Sequence, residues 1–264
     1  DQAEHNTTIF NPNSDAFFIE AFNEIELDRY SVFAEWQDQS NGWGIETGIR
    51  YSLIKSNAAD VSISTGLPAP LGVLRDRFNA SDLDQEDHLI DLVAVFKHQL
   101  TQQTTLEVGL ARKTRAPNYQ ERYLWAPIEV TAGLADGNQY IGDVNLDEEV
   151  AYQFELGLDW HKQKFAASPR IFYHHINDYI QGVTADLTDT PLVMVSSNLG
   201  FGGDMTPLQY ANVDAKLYGI DINWLAAITS EWQLDGTVAY VRGKRRDTND
   251  NLYRIAPINA RTML

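Results

Sequence analysis

The stretch VAYQFELGLDW, residues 150–160, constrains the fold more than any other part of the chain. Val150, Tyr152, Phe154, Leu156, Leu158 and Trp160 share one parity, and Ala151, Gln153, Glu155, Gly157 and Asp159 share the other. Successive side chains of a strand point to opposite faces, so a strand here has one apolar and one polar face. Strands of soluble sheets run about 5–6 residues. This one is long enough to cross a bilayer at a tilt.

The same pattern recurs along the chain. Strands are expected at 29–37, 43–55, 88–100, 104–114, 148–161, 164–181, 209–228, 231–243 and 254–264, with residues 1–28 a loop or partial strand. Tight connections (38–42, 101–103, 161–163, 229–230) alternate with long ones (56–87, 115–147, 182–208) and a medium one at 244–253. Short turns at one end and long loops at the other are the rhythm of an outer-membrane barrel. Near Leu217–Tyr218–Gly219 the alternation slips, which predicts a bulge or a glycine bend. Trp36, Trp43, Trp160, Phe165 and Trp232 flank the tight turns, as aromatic residues do at a bilayer interface. From Trp232 to Arg242 is ten residues on one parity, a rise of roughly 23 Å at a tilt near 45°. That matches the apolar band of a barrel wall.

An apolar face turned to lipid leaves the other face to a lumen. Glu46, Arg50, Glu107, Glu155, Asp159 and Arg170, with Gln153, Asp221, Asn223, Gln233 and Asp235, are expected to line it. So many charges do not fit a closed core without pairing. The expected fold is therefore all-β, an antiparallel transmembrane barrel segment of about nine long strands. No cysteine is present, which excludes disulfides, thiolate metal sites and cysteine nucleophiles. The net charge of -17 argues against nucleic acid. Neither a GxSxG, an HExxH nor a phosphate-binding loop occurs, so no enzyme and no cofactor are expected.

Four motifs then resemble the barrel of TonB-dependent outer-membrane receptors: TRAPNYQERY (114–123), IGDVNLDEEVAYQFELGLDW (141–160), FYHHINDYIQG (172–182) and ANVDAKLYGIDINW (211–224). They occur in the family's order and spacing. Asp143 stands where the family usually has Asn, Asp147–Glu148 replaces Pro-Glu, and Asp221 replaces Glu. The resemblance implies a parent barrel of about 22 strands with a plugged lumen. The whole of residues 1–264 then reads as an internal part of that barrel domain, with plug and TonB box expected elsewhere in the parent chain. It also implies residence in the Gram-negative outer membrane. The implied activity is binding and active import of a scarce nutrient, a ferric siderophore or other metal chelate, through the TonB complex. Copper receptors form one branch. A passive channel without a plug and a soluble β-sandwich binding module are the alternative readings.

Ligand contacts are expected in the long loops, where aromatic and arginine side chains are favoured binding types: Tyr119, Arg122, Tyr123, Trp125, Tyr140 and Phe201. His174, Met194 and Met205 are the candidate metal ligands, thioethers favouring Cu(I). His174 and His175 point to opposite faces of a strand and cannot chelate together. The acidic SDLDQED (81–87) lacks the glycine and terminal glutamate of an EF-hand and reads as a solvated loop. Arg242, Lys244 and Arg246 share the outward parity at the outer rim, where they are expected to meet phosphates of lipopolysaccharide or other outer-membrane lipid.

Overall fold

A computed structural model describes residues 2–11, 14–127, 138–198 and 205–264. Its strands are β1 (Gln2–Asn11), β2 (Ser14–Ser40), β3 (Trp43–Asn57), β4 (Gln85–Thr101), β5 (Thr104–Arg115), β6 (Tyr140–Ile141), β7 (Glu149–Lys162), β8 (Phe165–Thr184), β9 (Leu208–Ala227), β10 (Gln233–Arg245) and β11 (Asn259–Met263). Three helices interrupt the loops: α1 (Ala69–Asn79), α2 (Tyr119–Tyr123) and α3 (Thr190–Asn198). The strands form one antiparallel meander, β1-β2-β3-β4-β5-β7-β8-β9-β10-β11. The two-residue β6 adds parallel to the start of β9.

Local chemistry sets the hairpins. Asn41 and Gly42 both take positive φ (49° and 80°) between the paired ends Ser40 and Trp43. This is the Asn-Gly two-residue turn that suits the twist of flanking strands. The long connections all leave from the opposite end. Among the described residues, no second sheet packs on its apolar face. Val32, Leu110 and Trp232 are 65%, 53% and 55% exposed, so a sandwich reading does not hold. A face this greasy and this bare is solvated by lipid.

Two expectations are corrected. The sheet does not stop near residue 29: β2 continues up to Ser14 and pairs with β1, giving a hairpin that overtops the wall. The alternation does not slip at Leu217–Gly219 either. β9 keeps continuous register there with both neighbours, and the bulge lies in β8 between Ile176 and Tyr179. There Asp178 adopts φ 58°. The apparent slip arose because Leu217 is an apolar residue on the inner face, packed beside Ile176, Ala215 and Leu252. Gly219 has its own cause: a Cβ there would lie 2.1 Å from the Tyr240 carbonyl oxygen and 2.6 Å from the Phe172 ring.

The dry core sits at the long-loop end. Ile19, Phe22, Leu71, Leu74, Tyr123, Trp125, Tyr140, Leu192 and Tyr210 belong to one buried cluster. It joins the upper parts of β2 and β9 to all three helical loops. The loops are thus a folded cap rather than separate tethers.

Candidate functional site

The cap is built outward from the first motif. Arg115 ends β5 on the inner face and forks between two carboxylates, 2.7 Å from Glu121 and 2.7 Å from Glu149. Asn118 caps α2 by accepting from the amides of Gln120 and Glu121, while Glu121 reaches back to the Asn118 amide. This reciprocal box satisfies the orphan donors of a one-turn helix. The turn aims Arg122 and Tyr123 down at β3 and β4. Arg122 meets Asp87 bidentately at 2.9 and 2.9 Å and donates to Ser56 and the Leu146 carbonyl. The Tyr123 hydroxyl lies 2.9 Å from the Ser56 hydroxyl and 3.1 Å from the Leu83 carbonyl, with its one proton available to either, and burial raises its phenol pKa above the usual value.

The other motifs converge on the same place. Glu149 also accepts from the Ile180 amide at 2.7 Å, which ties in NDYI. Asn212, from the fourth motif, bridges the Asp147 backbone and the Asp178 carbonyl. Gly142 donates to the Leu124 carbonyl, and a Cβ on it would come within 2.8 Å of the Glu121 carbonyl oxygen. Four separated motifs therefore form one hydrogen-bonded knot above the wall.

The expected ligand contacts fall mostly inside this knot. Arg122, Tyr123, Trp125 and Tyr140 are only 3, 1, 3 and 2% exposed. Trp125 donates its indole N–H to the Glu20 carbonyl, and Tyr140 stacks on Tyr210 at 5.0 Å. As placed, Arg122, Tyr123 and Trp125 are held inside the cap, whereas Tyr140, though nearly buried, borders an open cavity. Tyr119 is half-buried edge-on to Phe22, and Phe201 lies outside the described residues. An open cavity of about 310 Å³ does lie beside the knot, lined by Arg115, Gln120, Tyr179, Gln181, Tyr253 and Arg254. No sequence pattern marks Tyr253 and Arg254, because the fold alone brings their loop across to β8.

Below the cap, the inner face carries an ion-pair ladder across β3, β4, β5, β7 and β8. Lys97 lies 3.2 Å from Glu46 and 3.6 Å from Glu107. Arg170 lies 2.8 Å from Asp159 and 3.9 Å from Glu107. Arg170 crosses over Gly157, where a Cβ would sit 2.3 Å from its side chain. Arg50 stacks on Phe33 at 5.7 Å, and Glu155 approaches His174 at 3.9 Å. Glu46, Arg50, Glu107, Glu155, Asp159 and Arg170 all stand on this one face. Lys97 joins them, and its role follows only from register. His174 sits within the wall, while Met194 on α3 and Met205 before β9 are exposed in the loop layer. Among the described residues, no group of three His, Asp or Glu side chains could hold a metal ion.

On the outer face, Arg242 and Lys244 point outward from β10 in register with Tyr218 and Lys216. Arg246 does not share their situation. It lies past the strand end and is engaged by Asp214 at 2.8 Å and Asn177 at 2.6 Å.

A single-layer antiparallel meander, greasy outside and ion-paired inside, with its loops folded at one end, is a section of transmembrane β-barrel wall. Residues 1–263 match the family described as TonB dependent receptor-like, beta-barrel, and the chain belongs to that family. Such barrels are transport proteins of the Gram-negative outer membrane, not enzymes. The ferric enterobactin receptor PirA of Pseudomonas aeruginosa is 28% identical over 159 residues, covering 56% of this chain and 20% of that protein. The fold resembles the copper transporter OprC, with TM-score 0.70, 18% identity, and coverage of 99% of this chain and 36% of that one. It also resembles the ferric yersiniabactin uptake receptor FyuA from Yersinia pestis, with TM-score 0.55, 12% identity, and coverage of 99% and 34%. The chain thus spans about a fifth of its curated relative and about a third of these structures.

Proposed function

We propose that the chain is part of a receptor that captures a scarce nutrient at its outer loops and imports it actively through the TonB complex. A ferric siderophore or another metal chelate is the favoured ligand class. The observation that carries this reading is the cap itself: an outer loop layer packed as tightly as a core, set over an inner wall of fixed charges. A passive pore has no need of a rigid outer platform, whereas a receptor does, because preorganised loops reduce the entropy cost of binding. The relative named as a ferric enterobactin receptor supports the ligand class. The cavity beside Tyr253 and Arg254 offers aromatic and basic groups suited to an anionic chelate.

Uptake of a labelled ferric siderophore by iron-starved cells making the full-length receptor tests this. The expected result is accumulation that disappears when TonB is deleted. Accumulation that persists without TonB identifies a passive channel, and binding of no ferric chelate overturns the ligand class.

A further inference from the structure

The outer face of the wall carries a second arrangement, which sequence parity only partly shows. Arg112 on β5, Tyr152 on β7, His175 on β8, Lys216 on β9 and Lys244 on β10 are successive partners in register. They form one cross-strand row on the membrane side. The next row down is Leu110, Phe154, Tyr173, Tyr218 and Arg242. Cations and a histidine thus overlie an aromatic row.

Depth agrees with an interfacial site. Arg112 stands eight residues above Thr104, where β5 leaves its short turn, and Lys216 eleven above Ala227. Arg242 and Lys244 stand nine and eleven residues above Gln233. At about 3.3 Å per residue and a tilt near 40°, these lie roughly 20–28 Å above the turns, at the upper edge of the apolar band.

Charge accounting singles out the same groups. The chain has 37 acidic against 20 basic residues. On this outer face Lys55 is paired with Glu86 and Arg246 with Asp214. Among the described residues, Arg112, Lys216, Arg242 and Lys244 have no carboxylate within salt-bridge distance. Arg112 donates to the Ile90 carbonyl, Arg242 to the Tyr240 hydroxyl and Lys244 to Asn249. The nearby Asp214 is already held by Arg246. Directly below Arg112 and His175 opens a groove of about 870 Å³, walled by Leu92, Leu110, Phe154 and Tyr173. It is apolar below and basic above, the polarity of a lipid with an anionic headgroup.

We propose that this face of β5–β10 binds the phosphate groups of an outer-leaflet phosphorylated glycolipid, lipopolysaccharide, with an acyl chain in the groove. Guanidinium and ammonium groups form charge-assisted hydrogen bonds to phosphate, strengthened at the edge of a low-dielectric layer. The structure changes the membership expected from parity: Arg246 leaves the set, and Arg112 and Lys216 join Arg242 and Lys244.

The test uses the full-length receptor in phosphatidylcholine nanodiscs carrying bisphosphorylated lipid A, dephosphorylated lipid A or phosphatidylglycerol. Lipid retained per receptor is counted by native mass spectrometry. The combined Arg112→Gln, Lys216→Gln and Lys244→Gln variant is expected to lose bisphosphorylated lipid A at least about tenfold. Lys55→Gln and Arg246→Gln are expected to retain it, because those cations are already neutralised. Lys216→Arg with Lys244→Arg, which keeps the charge, is expected to retain it as well and separates a charge effect from misfolding. Unchanged retention by the triple variant overturns the proposal. So does equal retention of dephosphorylated lipid A, or of phosphatidylglycerol, by the unaltered receptor.

Discussion

At the residue scale, the cap hangs on Arg122 and Asp87, whose side chains are 2% and 6% exposed. Removing one partner leaves the other charge buried and uncompensated, at a cost of about 3–5 kcal/mol. Arg122→Met is therefore expected to release α2 and the following loop, read as faster backbone hydrogen exchange there in the full-length receptor. Replacing both, Arg122→Met with Asp87→Leu, is expected to restore much of the protection. Gly157 poses a different constraint, since Arg170 occupies the space a side chain would need. Gly157→Ala is expected to displace Arg170 from Asp159 and cost about 1–3 kcal/mol by overpacking, measured as a lower unfolding midpoint. In the loop after β10, the hydrogen bond from Arg245 holds the Asp247 carboxyl down to about 2 from its ordinary 3.8. Its folded-state value is depressed, so its contribution is present above about pH 4 and is lost as pH falls through about 2. The Asp247 side-chain carboxyl signal, followed by NMR across that range, is expected to titrate at the lower value.

At the element scale, the strands were legible and the loops were not. β3, β5, β7 and β10 lie within about two residues of their expected ranges because the period of two survives wherever one face meets lipid. The helices α1 and α3 carry no such mark. They are short and held by packing against Tyr123, Leu124 and their neighbours rather than by a strong amphipathic pattern. An inward Leu217 resembles a phase slip, so alternation alone points to β9, whereas the bulge lies in β8 at Asp178. The aromatic belt makes a prediction at this scale. Trp36, Trp43 and Trp232 are 56, 46 and 55% exposed near the short turns, whereas Trp125 is 3% exposed in the cap. In single-tryptophan variants of the receptor, brominated lipids are expected to quench the first three strongly and leave Trp125 bright.

At the scale of the whole molecule, the sheet order is linear, with β1 and β11 unpaired on their outer sides. Open strand edges on an apolar sheet seek partners. The 264-residue chain produced alone in detergent is expected to self-associate through these edges, seen as oligomers in light scattering. Adding the flanking barrel strands is expected to abolish this. The ion-pair ladder belongs to this scale too. Glu46, Lys97, Glu107, Arg170 and Asp159 are far apart in sequence and meet only because five strands align.

Strand length, face polarity and turn rhythm were written in local sequence, because each strand must independently present an apolar face to lipid about 25 Å deep. Those features determined a membrane wall and its orientation of long and short loops. Register and loop folding belong to tertiary structure. Pairing decides which cation faces which carboxylate, and so, among the described residues, it left Arg112 and Lys216 without an ion pair while neutralising Arg246. Loop packing decides whether an aromatic residue is exposed, and it drew Arg122, Tyr123, Trp125 and Tyr140 into a core. Residue type and loop location bias burial but do not fix it at a given position. That depends on long-range contacts, such as Arg122 with Asp87, that no local pattern encodes.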